Sequence, residues 1–123
     1  MNIIISNSSD IPIYQQIVNQ IKEAIISNKL EQGQVLPSIR SLAKDLNISV
    51  ITTKRAYEEL ERQGFVDIVP GKGSFVAIFK KELVYEEKIK EIEKRIEEII
   101  ASANIIGLKK EEIIEIFDVM YEG

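Results

Sequence analysis

LPSIRSLAKDLNISVITTKRAYEELERQ, residues 36–63, reads as two short helices joined by a tight turn. In the first helix Ile39, Leu42, Ala43 and Leu46 fall at i, i+3, i+4 and i+7, one apolar stripe at helical spacing. Thr53, Ala56, Tyr57 and Leu60 repeat that pattern in the second. Asn47 and Ile48 leave room only for a sharp turn, and Ser38 and Ser49 are suited to cap the two helices. Helix, short turn and helix make a helix-turn-helix unit. An ordinary αα-hairpin inside a helical domain would show the same stripes, so periodicity alone does not separate the two readings.

The opposite face of the second helix separates them better. At about 100° per residue it carries Ile51, Lys54, Arg55 and Glu58, with Ser49, Val50 and Thr52 at the helix start. A recognition helix meets base edges with its N-terminal residues. Lys54 can donate to guanine O6 or N7, and Val50 or Ile51 can pack on a thymine methyl. Arg40, in the first turn of the preceding helix, suits a phosphate or a base edge. Lys44 and Arg62 suit phosphates. The plainer reading of these cations is a solvated charged surface.

Outward from this pair, Ile13, Ile17, Ile21 and Ile25 recur every four residues, with Tyr14, Val18 and Ala24 widening the stripe. They predict a helix from Asp10 with Pro12 in its first turn, closing the core against the pair. Met1–Ser9 is expected to be a poorly ordered arm, and Lys29–Gln34, around Gly33, a connecting loop. After Gln63, Gly64 should end the helix in a left-handed conformation. Phe65–Val69 and Ser74–Ile78 then read as strands around the turn Pro70-Gly71-Lys72-Gly73. A hairpin directly after a recognition helix is a wing, and Lys72 between Gly71 and Gly73 suits a phosphate or the minor groove. A nucleotide phosphate loop is disfavoured, because the strand–GxxxxGK[ST]–helix setting is missing.

Farther on, Tyr85, Ile89, Ile92, Ile96, Ile99 and Ala103 alternate spacings of four and three along Lys81–Asn104. Glu86–Lys90 and Glu91–Arg95 are expected as i,i+4 pairs. Gly107 should break this helix, and a second should run from about Lys109 to Tyr121 with Ile113, Ile116, Phe117 and Met120 on one side. Lys109 is a poor cap, so that helix is expected to fray at its start. Two such helices cannot bury their stripes on each other alone. A second copy of the chain is the simplest cover, and packing onto the chain's own domain is the alternative. The 44 residues 80–123 are too few to enclose a ligand pocket, so any effector would act through the dimer.

Composition bounds the function. The 123 residues contain no cysteine and no histidine, which excludes disulfides, thiol catalysis, Cys/His zinc sites and Ser-His-Asp chemistry. No cofactor is expected, and an enzyme is remote. No apolar run approaches a membrane span and no secretory leader is recognisable, so the expected setting is the cytoplasm. The formal charge of −4 argues against nucleic acid only as a sum. Residues 1–79 balance 8 Lys+Arg against 8 Asp+Glu, and the excess lies in residues 80–123, with 8 against 12.

At this point the chain resembles the GntR family of transcriptional regulators, most closely its short YtrA-type subfamily. The resemblance rests on Pro12-Ile13-Tyr14-Gln15-Gln16-Ile17 and on Leu36-Pro37-Ser38 with Arg40, Leu42, Ala43 and Leu46. It continues through Thr52, Arg55-Ala56-Tyr57, Leu60 and Gly64 to Gly71 with Gly73-Ser74-Phe75-Val76, spanning about residues 11–78. It implies a winged helix-turn-helix that binds operator DNA as a dimer, with Arg40, Ser49, Thr52, Lys54 and the wing around Lys72 at the DNA. Val50 stands where the wider family often has arginine, so no operator sequence can be borrowed. The tail resembles the subfamily's helical dimerisation tails.

The sequence therefore predicts a mainly α protein with a small β-wing: a winged helix-turn-helix DNA-binding domain in residues 1–79 and a two-helix dimerisation tail in residues 80–123. The expected function is sequence-specific regulation of transcription, as a homodimeric repressor with double-stranded operator DNA as partner. Transporter operons are frequent targets in the subfamily. A protein-interaction adaptor built on the same fold is the competing reading.

Overall fold

A computed structural model describes every residue, Met1–Gly123. The elements in chain order are α1 (Ile13–Ile26), α2 (Ile39–Leu46), α3 (Val50–Arg62), β1 (Val66–Val69), β2 (Gly73–Val76), α4 (Lys81–Ile106) and α5 (Lys110–Glu122). They fall into two compact units, Met1–Lys81 and Glu82–Gly123.

In the first unit the apolar stripes meet as their spacing predicts. Ile17, Val18, Ile21 and Ile25 of α1 share one core with Leu42 of α2, Ala56, Tyr57 and Leu60 of α3, and Val66 and Val76 of the hairpin. Removing a Leu, Ile or Val side chain from water is worth about 1.5–3 kcal/mol, so this shared core is what holds α3 in place. Thr53 lies on the same buried face, and its hydroxyl donates to the Ser49 carbonyl at 3.1 Å. Both caps form as expected. Ser38 Oγ accepts from the Ser41 N–H and Ser49 Oγ from the Thr52 N–H, each at 3.0 Å. Asn47 closes α2 at φ 55°, a left-handed position that a short polar side chain tolerates. Gly64 closes the end of α3 at φ 86°.

One partly buried polar contact links the two helices of the pair. The Tyr57 hydroxyl donates to the Pro37 carbonyl at 2.7 Å, and burial pushes its pKa upward. It therefore remains a neutral donor, holding the entry to α2 against the middle of α3.

The hairpin pairs Val66 with Val76 and Val69 with Gly73 in antiparallel register. Its strands are shorter than the sequence suggests, since Phe65, Ala77 and Ile78 lie outside them.

The structure corrects three further expectations here. Helix α1 begins at Ile13 rather than Asp10. Pro12 is its extended N-cap, at φ −53° and ψ 146°, so the proline precedes the first turn. The segment Met1–Ser9 is not loose. The Gln20 amide bonds both the N–H and the carbonyl of Ile4 (2.8 and 2.7 Å), and the Gln16 amide does the same for Ser6 (2.9 Å each). Ile3 and Ile5 rest on the core. Finally, the end of the predicted loop is tied to the outer edge of β2 through an isolated bridge. Gly33 donates to Val76, Val76 to Gln34, and Leu36 to Ser74, all at 2.8 Å, with Val35 bridged to Phe75.

In the second unit α4 ends at Gly107, which takes φ 70°. Tyr85, Ile89, Ile92, Ile96 and Ile99 are exposed while Ala103 is buried. Ile113 is half-buried, and Ile116, Phe117 and Met120 are exposed. An open, mostly apolar groove of about 540 Å³ lies between the tail helices, lined by Ile99, Ala103, Ile106, Leu108, Ile113 and Ile116 among others. The two helices thus leave more concave space than the sequence reading allowed. The start of α5 is also better held than expected. The Lys109 N–H donates to Glu112 Oε1 at 3.1 Å, which is half of a capping box, since a lysine side chain has no acceptor to supply the other half. Of the expected ion pairs Glu91–Arg95 forms at 2.8 Å, whereas Lys90 turns to Glu87 at 3.6 Å. No helix is long and apolar enough to cross a membrane.

Replacing Tyr57 by Phe keeps the ring and strands the Pro37 carbonyl. The expected loss is about 1–2 kcal/mol of unfolding free energy, read from the urea midpoint at constant slope. An unchanged midpoint would show that Pro37 finds another donor.

Candidate nucleic-acid interface

With Thr53, Ala56, Tyr57 and Leu60 facing inward, the helical repeat leaves Val50, Ile51, Lys54, Arg55 and Glu58 on the outer side of α3, and all five are exposed. Neither α2 nor α3 has an acidic residue in its first turn. The unpaired N–H groups and dipole at each of these helix starts therefore keep their positive character, which favours an anion such as a phosphate. The acids of α3, Glu58, Glu59 and Glu61, all fall in its second half. Local arrangement thus gives the charge-balanced residues 1–79 a basic end.

The side chains at that end differ in how free they are. Ser49 Oγ donates to Thr52 Oγ1 at 2.7 Å while accepting from the Thr52 N–H. Its one proton is used, so the Thr52 hydroxyl is the member of the pair left to donate outward. Lys54 Nζ stands 3.8 Å from Glu58 Oε1, with both side chains well exposed. Such a pair is worth about 0–1 kcal/mol and yields readily to a stronger acceptor.

Arg55 is held more firmly. Its guanidinium stacks 3.9 Å above the ring of Tyr14 on α1, which fixes the plane while the N–H edges stay available. The sequence reading gave Tyr14 only a place in the core, and nothing in a pair 41 positions apart could have signalled the contact. Arg62 is the least available cation, because the Glu59 carboxylate holds it in a two-point pair on the same helix.

Arg40 sits exposed in the first turn of α2, and Lys44 in its last. Tyr57 holds the residue just before α2, so the position of Arg40 depends on the middle of α3. Lys72 is exposed at the tip of the hairpin, where Gly71 and Gly73 take φ 75° and 119°. Those angles let the chain reverse over three residues and present Lys72 without bulky neighbours. The underside of the hairpin is joined to residues 33–36, one residue ahead of Pro37. Hairpin, α2 and α3 are therefore one connected framework. It carries Arg40, Lys44, Ser49, Val50, Ile51, Thr52, Lys54, Arg55 and the Gly71-Lys72-Gly73 tip on its outside.

Comparison with known proteins bears on this framework directly. The model of the bacterial regulatory proteins of the gntR family matches residues 13–76. The chain is 33% identical over 107 residues to the HTH-type transcriptional repressor YtrA of Bacillus subtilis, covering 87% of this chain and 82% of that one. It is similar in structure to a GntR family transcriptional regulator from Listeria monocytogenes, with a TM-score of 0.75, 31% identity, and 93% and 97% of the two chains covered. It is also similar to AraR(DBD), solved in complex with operator ORX1, with a TM-score of 0.56, 26% identity, and 63% and 96% covered.

The Glu59–Arg62 pair makes a pH prediction. Hydrogen bonds from Arg62 and Gln63 hold the Glu59 carboxyl down to about 2, from an ordinary 4.5. The pair is therefore intact above pH 4.5 and is lost only as pH falls toward 2. A carboxyl NMR titration should find the Glu59 midpoint well below 4, and a midpoint near 4.5 would mean that Arg62 is free to reach a phosphate.

Proposed function

The chain belongs to the GntR family of bacterial transcriptional regulators, and from that premise we propose that it is a homodimeric repressor that binds a specific operator. The observation that carries the reading is the acid-free, exposed start of α3, with Lys54 beside it and Arg40 and Lys72 on elements tied to it. Support comes from the relative named as a repressor and from the fold shared with a domain solved on its operator. The family's regulators are not enzymes, and the site has the same character: cations, hydroxyls and apolar side chains on a convex helix.

In this reading each subunit lays Ser49–Arg55 in a major groove. Lys54 donates to guanine O6 or N7. Arg40, Lys44, Thr52 and Arg55 take phosphates near the helix starts, and Lys72 takes one from the wing or enters the minor groove. Phosphate contacts add affinity for any sequence, whereas base contacts discriminate.

The tail supplies the second subunit. Tyr85, Ile89, Ile92, Ile96 and Ile99 of α4 and Ile113, Ile116, Phe117 and Met120 of α5 form the surface that a second copy covers. The groove beside Ala103 is the natural seat for part of the partner. Two-fold pairing places the recognition helices on half-sites about one helical turn apart, or a multiple of it. A repressor follows because a dimer seated on a promoter blocks polymerase, and a transporter operon is the target we favour. Residues 1–79 are then the DNA-binding domain and residues 80–123 the dimerisation tail, working in the cytoplasm.

Three outcomes test this on duplex selected from a random pool. Lys54→Ala should relax preference at one base position per half-site. Lys72→Ala should weaken all sequences alike and lower the salt slope by about 1. The reverse pattern would overturn the roles. The double variant Ile96→Glu, Ile99→Glu should sediment as a monomer and lose more than about ten-fold in operator affinity, and a dimer with unchanged affinity would refute the tail's role. Absence of any duplex binding at low salt would favour a protein partner instead.

A further inference from the structure

The outer side chains of α3 sort by whether something already engages them. Lys54 has Glu58, Arg55 has Tyr14, Arg62 has Glu59, and the Ser49 hydroxyl is used by Thr52. The side chains with no polar role are Val50 and Ile51, in the first turn of the helix. Val50 is 46% exposed, and Ile51 at 81% is nearly bare. A bare isoleucine adds nothing to folding, and here it stands at the helix end that approaches base edges, flanked by Lys54 and by an acid-free helix start.

We infer that Ile51 is a specificity-determining residue that reads the 5-methyl group of a thymine in each operator half-site, an inference that rests on the operator-binding reading above. The chemistry is narrow. In the major groove only thymine presents a methyl, while cytosine, its pyrimidine counterpart, presents an amino donor at the adjacent position. An isoleucine pressed on the methyl-bearing carbon gains from the thymine methyl and finds only a C–H on cytosine, so the methyl itself carries the discrimination. Each methyl or methylene moved from water into such a contact is worth about four-fold in affinity. Val50, half-covered at the first helical position, is the less extended of the two and serves as the control.

The test uses the whole chain and the duplex it enriches from a random pool. Each thymine of the duplex is replaced in turn by deoxyuridine, which deletes the methyl and leaves the hydrogen-bonding edge intact. At one position per half-site the unaltered chain should lose about three- to ten-fold in affinity. The same replacement should cost Ile51→Ala almost nothing and should still cost Val50→Ala. Ile51 is exposed, so thermal melting of Ile51→Ala should match the unaltered chain, and Ile51→Val should retain part of the discrimination. Deoxyuridine tolerated at every position, or a penalty that persists in Ile51→Ala, would overturn the assignment. If no duplex is enriched at all, operator binding itself fails and this inference falls with it, an outcome distinct from a selected duplex indifferent to its methyls.

Discussion

The geometry of the first unit hangs on the burial of one face of α3. Thr53, Ala56, Tyr57 and Leu60 are each 0% exposed, and apolar burial on that scale fixes the rotation of the helix about its own axis. Once that rotation is fixed, the 3.6-residue repeat decides which side chains look outward. The hydroxyl of Tyr57 adds direction to a force that otherwise has none. By holding the Pro37 carbonyl it sets where α2 begins, and so where Arg40 stands. A core residue thereby acts on the outside of the molecule without touching it.

The charge arrangement follows the same logic. Residues 1–79 carry equal numbers of acids and cations, and only Lys80 and Lys81 at its end make the first unit slightly positive, so net charge supplies little long-range attraction to a polyanion. What remains is local: two helix starts without acids, cations placed near them, and the acids of α3 kept to its second half. Such a surface acts at short range, where salt screening is weakest, and it rewards a correctly placed phosphate more than a merely nearby one. The Glu59–Arg62 pair adds to that selectivity by removing one cation from the free set.

Much of this was legible in the sequence because its causes are periodic or local. The stripes of α1, α2 and α3 predict the core, Ser38 and Ser49 announce their helices, and Gly64 and Gly107 mark the ends. The interior of the site was harder to see. Gln16 and Gln20 hold the first residues through side-chain amides bonded to backbone, and such contacts leave no repeat to count. The run at 33–36 is short and polar at its start, and only an isolated bridge to Phe75 with its flanking hydrogen bonds ties it to β2. Tyr14 under Arg55 is likewise a product of the finished fold, whereas Glu112, three residues after Lys109, is a local cap that the spacing could have announced. Propensity anticipates elements well, but contacts between distant side chains exist only once those elements are packed.

The bridge between Val35 and Phe75 has a consequence for the encounter with DNA. A hairpin attached only by its base would sweep through many orientations, and a ligand would have to freeze that motion on arrival. Here three hydrogen bonds anchor the outer edge of β2 to residues 33–36, the segment that leads into α2, so that freedom is already lost when the chain folds. Any contact made at the glycine tip is then not offset by the entropy of ordering the hairpin. Without those three bonds the hairpin would regain that motion, and any partner at its tip would have to freeze it.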